Sequence, residues 1–186
     1  FRNDWEKHAS LQVRLGNADA IDAYIDHDRV AGGEHDEMLD TAYQAWSRDL
    51  RAGRTSVLIA ETTETVTDLN ERARSDRILA GLVADGGVRL HDGTRAATGD
   101  VVITRRNDRR LALGRGWVKN NDRWIVADTH DDGSLTVRRE RSRWRSTITL
   151  PAGYAAEHVD LGYAITAHRA QGATVDTAHA LVASPQ

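Results

Sequence analysis

The hydrophobic period of this chain changes twice, which limits the folds open to it. "TSVLIAET" (55–62) is a short, continuous apolar run, typical of a strand buried on both faces. Helical patterning precedes it over 32–53 and follows it over 63–81. A helix, a buried strand and a second helix in succession predict a doubly wound α/β layer. The apolar face of the preceding helix is formed by Leu39, Ala42, Tyr43, Trp46 and Leu50.

Two shorter helices are predicted nearer the N-terminus. "DWEKHASLQVRLG" (4–16) has Asp4 as a candidate N-cap and a glycine at its end. "NADAIDAYIDHDR" (17–29) has the pattern of a second helix. Trp5 and Trp46 lie on apolar helix faces, so we expect both indole rings to be buried in the core.

Strand patterning replaces the helical pattern from about Gly86. The segments 99–108 and 116–140 are rich in strand-forming residues, and the Asp131-Asp132-Gly133 sequence indicates a hairpin. After Pro151 the α/β pattern resumes with "LGYAITAHRAQG" and "AHALVA". We therefore predict an α/β domain with a parallel sheet, made of residues 1–92 plus 151–186. A small antiparallel β-barrel of residues 93–150 would be inserted in it.

Basic side chains are concentrated in this strand-rich segment. The formal net charge of the whole chain is −3. Residues 101–150 hold eleven Arg and one Lys against five Asp and one Glu, a net charge of +6, which leaves −9 for the remainder. A basic segment in an acidic chain indicates local contact with a polyanion such as a nucleic acid. A solvated surface with scattered charge is the alternative interpretation.

The composition is that of a globular protein. Hydrophobic residues make up 40% and charged residues 28% of the 186 positions. The chain has no run of 18 apolar residues and no signal-peptide pattern. The absence of cysteine excludes a disulfide framework and a thiolate metal site. The polar start "FRNDWEKHAS", without an initiator Met, leads us to expect a cytoplasmic piece of a larger protein.

Acidic and imidazole side chains in "YIDHDRVAGGEHDEM" (24–38) are of the types that bind metal ions. Helices flank this segment and a Gly-Gly pair lies within it, so we interpret it as a solvated loop. "THDDGS" (129–134) lacks the spaced acidic ligands of a calcium loop and is predicted to be a hairpin turn. No metal site is predicted.

Groups able to contact an anion are concentrated at the end of one predicted strand. The apolar run that starts at Tyr163 leads directly into them, and ligands bind at the C-terminal ends of strands in α/β sheets. Hydroxyl, imidazole and guanidinium groups in such a loop are suited to phosphate or a nucleic-acid backbone. A polar turn that caps a helix is the alternative. The residues concerned are Thr166, His168, Arg169, Gln171, Gly172 and Thr174.

"YAITAHRAQGATVD" (163–176) resembles motif V of the RecD-like branch of superfamily 1 DNA helicases. "VVITRRNDRRL" and the turn Lys119-Asn120-Asn121-Asp122 are similar to the segment that the family carries as a threonine, an arginine and an Asn-Asp pair, followed by a turn that usually has glycine where this chain has Asn121. Asn tolerates the left-handed conformation, so we expect the turn to be retained. The Leu69-Asn70 pair also matches. Over essentially its whole length the chain resembles the helicase region of MobF-type conjugative relaxases.

This resemblance implies a fold and a set of site residues. The fold is the second RecA-like motor domain, carrying a small inserted β-barrel. Thr166 and His168 would contact the backbone of single-stranded DNA, whereas Gln171, Gly172 and Thr174 would couple DNA to the nucleotide cleft. Arg169 lies at a variable position of the family. Further DNA contacts in the insert would come from Thr104, Arg105, Asn107, Asp108 and Trp144.

Three tryptophans lie in the basic insert, at positions 117, 124 and 144. Aromatic rings interleaved with Arg could stack on bases, and filling the small core of the insert is the alternative. Trp144 is predicted to be exposed because Arg143 and Arg145 flank it.

The ATP-binding half of such a motor is missing from this sequence. The chain has no G-x-x-x-x-G-K-[ST] loop, and it ends before the family's arginine-bearing motif VI. Arg2 is the nearest candidate for another ATP-contacting arginine. We therefore expect ATP and Mg²⁺ to bind the parent protein, a 5′-to-3′ helicase, and the fragment to be inactive alone. Expected partners are single-stranded DNA, the first RecA-like motor domain, and relaxosome or secretion coupling proteins. The alternative is a non-catalytic module that docks other conjugation or repair proteins.

Overall fold

The computed structural model describes residues 3–114, 116–140, 146–171 and 175–182. They belong to two compact units, one up to Thr41 and one from Ala42 onward. The helices are α1 (Asp4–Arg14), α2 (Ala20–Asp26), α3 (His35–Arg51), α4 (Thr63–Leu79), α5 (Ala152–His158) and α6 (Ala167–Ala170). The strands are β1 (Ser56–Ala60), β2 (Val88–Arg89), β3 (Arg95–Ala96), β4 (Val101–Thr104), β5 (Asp108–Leu113), β6 (Gly116–Val118), β7 (Arg123–Thr129), β8 (Leu135–Arg139), β9 (Thr147–Leu150), β10 (Val159–Leu161), β11 (Ala164–Thr166) and β12 (Thr177–Leu181).

The first unit contains α1, α2 and the start of α3. The indole ring of Trp5 stacks on the His27 imidazole with ring centroids 3.9 Å apart, and its edge meets Tyr24 at 5.6 Å. Trp5 is half-buried, so the prediction that it lies in the core is only partly confirmed. The same prediction is confirmed for Trp46, in the second unit, which is 3% exposed. None of the described helices is long and apolar enough to cross a membrane.

A three-stranded parallel sheet lies at the centre of the second unit, in the order β11-β1-β12. Leu58 pairs with Ala164 on one side and with His179 on the other. The strand predicted from the apolar run is confirmed, because Leu58 and Ala60 are fully buried between two neighbours. Helix α4 follows β1 and is capped by Thr62, whose hydroxyl accepts the backbone N–H of Thr65 at 3.1 Å.

A five-stranded antiparallel sheet has the order β10-β4-β7-β8-β9. Closure into a barrel requires its two edge strands to exchange hydrogen bonds. In the described part of the chain, β10 pairs with β4 and β9 pairs with β8, and the two edges do not pair with each other. The predicted closed β-barrel is therefore wrong for these residues, and the sheet is open. The domain boundaries at 93 and 150 stay a prediction.

Two turns predicted from the sequence lie directly after and directly before β7. Gly133 has a φ of 86° in the β7–β8 hairpin, where the Asp132 carboxylate accepts the backbone N–H of Ser134 at 2.8 Å. Asn121 has a φ of 65°, the left-handed conformation expected where the family carries glycine. Helices α5 and α6 were not predicted, since seven and four residues are too short to give a clear helical period.

Candidate nucleic-acid interface

Thr166 and His168 lie at the C-terminal edge of the parallel sheet. Thr166 ends β11 directly beside Ala60, the last residue of β1, and α6 begins at the next residue. The Thr166 hydroxyl is half-buried and makes no capping hydrogen bond to α6. His168 is exposed on α6 and Gln171 is exposed just after it. Gly172 and Thr174 lie outside the described residues.

Asn70 holds the backbone that enters β11. Its side chain is 1% exposed, and its oxygen accepts the N–H groups of Tyr163 at 2.9 Å and Ala164 at 2.8 Å. Its amide nitrogen donates to the carbonyls of Leu161 at 3.4 Å and Ala164 at 3.2 Å. Four bonds satisfy the buried amide and fix this backbone two residues before Thr166. The resemblance identified Asn70 as a match, but its role emerges only from the structure.

A second buried network surrounds Tyr163. Its hydroxyl donates to the Asp100 carboxylate at 2.6 Å, and Arg74 Nε donates to the other oxygen at 2.9 Å. Burial, followed by the nearby charge of Asp100, raises the pKa of the Tyr163 hydroxyl well above its usual value of 10. Because Arg74 belongs to α4 and Asp100 immediately precedes β4, the network joins both sheets to one helix. This network was not predicted from the sequence. The available signal was the charged residue Asp100 immediately before the apolar strand β4.

Thr104 serves the fold in this structure. Its side chain is fully buried, and its hydroxyl donates to the Lys119 carbonyl at 2.6 Å and lies 3.2 Å from the Asp122 carbonyl. Trp124, also fully buried, donates its indole N–H to the same hydroxyl at 3.4 Å. Thr104 thus holds the Lys119–Asp122 turn against β4. The DNA contact expected of Thr104 stays a prediction.

Asn107 and Asp108 also support local geometry. The Asn107 side-chain oxygen accepts the backbone N–H of Asn120 at 2.9 Å. Asp108 accepts the backbone N–H of Arg110 at 2.9 Å and pairs with the guanidinium of the same residue. That side-chain hydrogen bond lowers the pKa of the Asp108 carboxyl below its usual range. Asn107 is exposed and lies beside the turn that Thr104 holds, so the two predicted contacts are neighbours.

Arg105 and Arg169 meet at one buried carboxylate. Asp160, on β10, lies 2.9 Å from Arg169 Nη1 and 3.4 Å from Arg105 Nε, in both cases through Oδ2. Arg105 Nη1 also lies 2.5 Å from His91 Nδ1. From the sequence, Arg105 was expected to contact DNA, and Arg169 was one of the candidate anion contacts although it lies at a variable position of the family. The Arg105–Asp160 pair joins residues 55 positions apart in the chain, so it cannot be read from local patterns.

The tryptophans of the insert differ in burial. Trp124 fills the core of the antiparallel sheet, with the Arg139 guanidinium 5.0 Å from its ring, so the core interpretation is confirmed for it. Trp117 is half-buried between Arg109 and Lys119, each 5.6 Å from its ring centroid. Trp144 and Arg2 lie outside the described residues.

Neither a cluster of metal-ligating side chains nor a phosphate-binding loop sequence is found in the described residues. No group of three or more His, Asp or Glu side chains among them is arranged to hold a metal ion. The sequence also lacks the loop that cradles the phosphates of a nucleotide. The expectation that the longer protein binds ATP and Mg²⁺ stays a prediction.

No family model matches the chain. It is similar to the conjugal transfer proteins TraA of Agrobacterium fabrum (strain C58 / ATCC 33970) and Rhizobium radiobacter, each 30% identical over 179 residues. It is 31% identical over 179 residues to the "Probable conjugal transfer protein TraA" of Sinorhizobium fredii (strain NBRC 101917 / NGR234). Each match covers 94% of this chain and 16% of the relative. The chain is thus related to a region of conjugal transfer proteins, and it spans about one sixth of their length.

Proposed function

We propose that this chain is the part of a DNA motor in a conjugative relaxase that binds single-stranded DNA. It would form part of the second RecA-like domain of a RecD-like superfamily 1 helicase, with the antiparallel sheet as its insert. The observation that carries the proposal is the position of Thr166 and His168. They follow a parallel strand at the edge of the sheet where α/β folds bind ligands, in a chain related to conjugal transfer proteins.

The chemistry of this edge is suited to a phosphate backbone. A hydroxyl and an imidazole donate to phosphate oxygens without distinguishing bases, as a translocating motor requires. The bonds from Asn70 keep Thr166 in place before a strand binds, which lowers the entropy cost of binding. Gln171, exposed after α6, would connect this contact to the nucleotide cleft together with Gly172 and Thr174.

The longer protein would supply what these residues lack. Its first RecA-like domain would bring the phosphate-binding loop and Mg²⁺, and ATP hydrolysis there would drive 5′-to-3′ movement along single-stranded DNA. The chain alone is expected to hydrolyse no ATP. Relaxosome or secretion coupling proteins are the further partners that conjugal transfer implies.

Fluorescence anisotropy of a labelled single strand at two salt concentrations tests the proposal. The Thr166→Ala/His168→Ala variant should bind at least tenfold more weakly than wild type, because it loses two contacts of about 1 kcal/mol each. A matched control, His130→Ala/Thr149→Ala, removes the same groups near β8 and β9, at the edge of the antiparallel sheet opposite β10. The control should bind like wild type.

Two results would contradict this assignment. Equal loss in both double variants would mean that the motif V segment is not a specific contact. A wild-type chain that fails to bind single strands even at low salt would favour the docking-module alternative instead. Binding that falls steeply with salt would support phosphate contacts.

A further inference from the structure

Asp160 gathers three nitrogen-bearing side chains from different parts of the second unit. It lies on the edge strand β10 and is 6% exposed. Arg169, on α6, and Arg105, just after β4, both approach its Oδ2 atom. His91 Nδ1 lies 3.3 Å from the other oxygen, Oδ1, which accepts no hydrogen bond of good geometry from the described residues. One carboxylate therefore faces two guanidinium groups.

The charges of this cluster do not balance. Each guanidinium is permanently positive, whereas Asp160 contributes a single negative charge, so one positive charge remains. Arg106, next to Arg105, is exposed and lies 3.0 Å from His158 Nε2. The exposed Glu157 is 3.6 Å from the same imidazole atom, so it partly offsets Arg106 and not the Asp160 cluster.

The two guanidinium groups are accessible and incompletely used. The Arg105 side chain is 34% exposed and the Arg169 side chain 25% exposed. Each guanidinium has five N–H donors in a planar fork. Within the described part of the chain, Arg169 donates to Asp160 alone, and Arg105 uses Nη1 toward His91 and Nε toward Asp160. Donors that Asp160 orients but does not occupy remain for a ligand.

We propose that Arg105 and Arg169, held by Asp160, bind a backbone phosphate of single-stranded DNA, as a contact separate from Thr166 and His168. Arg169 follows His168 directly on α6, so the phosphate path would run from α6 onto the end of β4. The Arg fork suits phosphate in a bidentate geometry. This inference rests on the proposed function and adds a second phosphate contact to it.

The dependence of binding on salt measures the proposed contact directly. For single strands, each phosphate neutralised contributes about 0.7 to the slope of log K against log salt. Because the two guanidinium groups share one phosphate, Arg105→Ala/Arg169→Ala should lower that slope by about 0.7, and Arg169→Ala alone by up to that amount. Arg169→Lys keeps the charge and should restore most of the slope. Thermal unfolding of each variant identifies any that fails to fold, and Arg169→Gln, which removes the charge but keeps a polar side chain of similar reach, then decides in place of the alanine variant.

Arg54→Ala is the matched control. Arg54 pairs with Asp49 at 2.8 Å, and it lies just before β1, at the sheet edge opposite Thr166. The variant removes the same charge from the chain. It should leave the salt slope unchanged, because its guanidinium lies away from the proposed path.

Asp160→Asn distinguishes a phosphate site from a structural brace. Asparagine keeps a side-chain oxygen that can accept from the two guanidinium groups but carries no competing negative charge, so the variant should bind single strands at least as tightly as wild type. Weakening equal to that of Arg169→Ala would show that the ion pairs only hold α6 in place, and would overturn the inference. So would an unchanged slope in Arg105→Ala/Arg169→Ala while Thr166→Ala/His168→Ala loses affinity, a result that leaves the proposed function standing. A wild-type chain without affinity for single strands would overturn both.

Discussion

The side-chain oxygen of Asn70 accepts the backbone N–H of Tyr163 at 2.9 Å, across 93 residues of chain. This bond joins α4 to the short connection between the antiparallel and parallel sheets. Three further bonds of the same amide, to Leu161 and Ala164, leave no part of it unsatisfied. A single buried side chain thus determines how the backbone enters the strand that leads to Thr166.

Asn70→Ala should destabilise the protein by about 1–3 kcal/mol, because it leaves buried backbone groups without partners. Urea unfolding followed by circular dichroism measures the change in the free energy of unfolding. The control Asn120→Ala removes an exposed amide and should shift it by less than about 0.5 kcal/mol. If Asn70→Ala were as stable as the control, the buried amide would have no role in holding β11.

Tyr163→Phe should make stability less sensitive to alkaline pH. Burial raises the pKa of the Tyr163 hydroxyl above its usual value of 10, so folding favours the protonated form. Its contribution is complete below pH 10 and is lost as the pH rises from 10 toward the folded pKa, because only the unfolded chain ionises there. Wild type should therefore lose stability between pH 10 and 11.5 more steeply than the variant.

The variant should also be less stable than wild type at pH 7, by about 1–3 kcal/mol, since Asp100 loses a hydrogen bond. Urea midpoints at pH 7, 10 and 11.5 give both quantities. The difference between the two proteins should shrink as the pH rises. A constant difference over this range would mean that Tyr163 does not titrate with folding. Tyr24→Phe, in the first unit, serves as a control.

Thr104→Val separates a structural role from a DNA contact. Valine has nearly the shape of threonine but cannot donate to the Lys119 carbonyl, so stability should fall by about 1–2 kcal/mol. Because Thr104 is fully buried, the salt slope of single-strand binding should remain that of wild type. Thermal unfolding and anisotropy on the same preparation test the two expectations. A reduced slope with unchanged stability would instead support the contact expected from the resemblance.

Asn121→Gly should be neutral or stabilising by up to about 1 kcal/mol. Asn121 has a φ of 65°, which costs free energy for any residue with a Cβ atom and little for glycine. Asn121→Val, whose branched side chain opposes this conformation, should destabilise by about 1–2 kcal/mol. Melting temperatures of the two variants give the comparison. Asn120→Gly is the control one position earlier, and a gain there equal to that of Asn121→Gly would contradict the conformational argument.

Local patterns predicted what depends on neighbours in sequence. The apolar run at β1, the amphipathic face of α3 and the turns at Asn121 and Gly133 all follow from short-range chemistry. The open antiparallel sheet could not be predicted, because its edge strand β10 follows a helix that has no sequence signal. Whether a sheet closes depends on which distant strands pair.

The candidate site shows the same limit. Thr166 and His168 were identified as candidate contacts from the residues and from a resemblance, because the whole motif is contiguous. The supporting roles of Asn70, Asp100 and Asp160 were not predicted, because these side chains contact Tyr163 and Arg105, which lie tens of residues away in the chain. Burial also decides what a polar side chain binds. The Thr104 hydroxyl, expected from the sequence to contact a ligand, donates to the Lys119 carbonyl within the fold.

Only Gly162 and Tyr163 separate β10 from β11. The distance from the Cα atom of Leu161 to that of Ala164 can be at most roughly 10 Å, so the connection leaves the two sheets little freedom to move apart. A side chain at position 162 would meet the backbone of Val102 at 3.1 Å, which leaves little room for the connection to shift sideways. We therefore expect a force applied at the end of β11 to reach the antiparallel sheet with little extension of this connection.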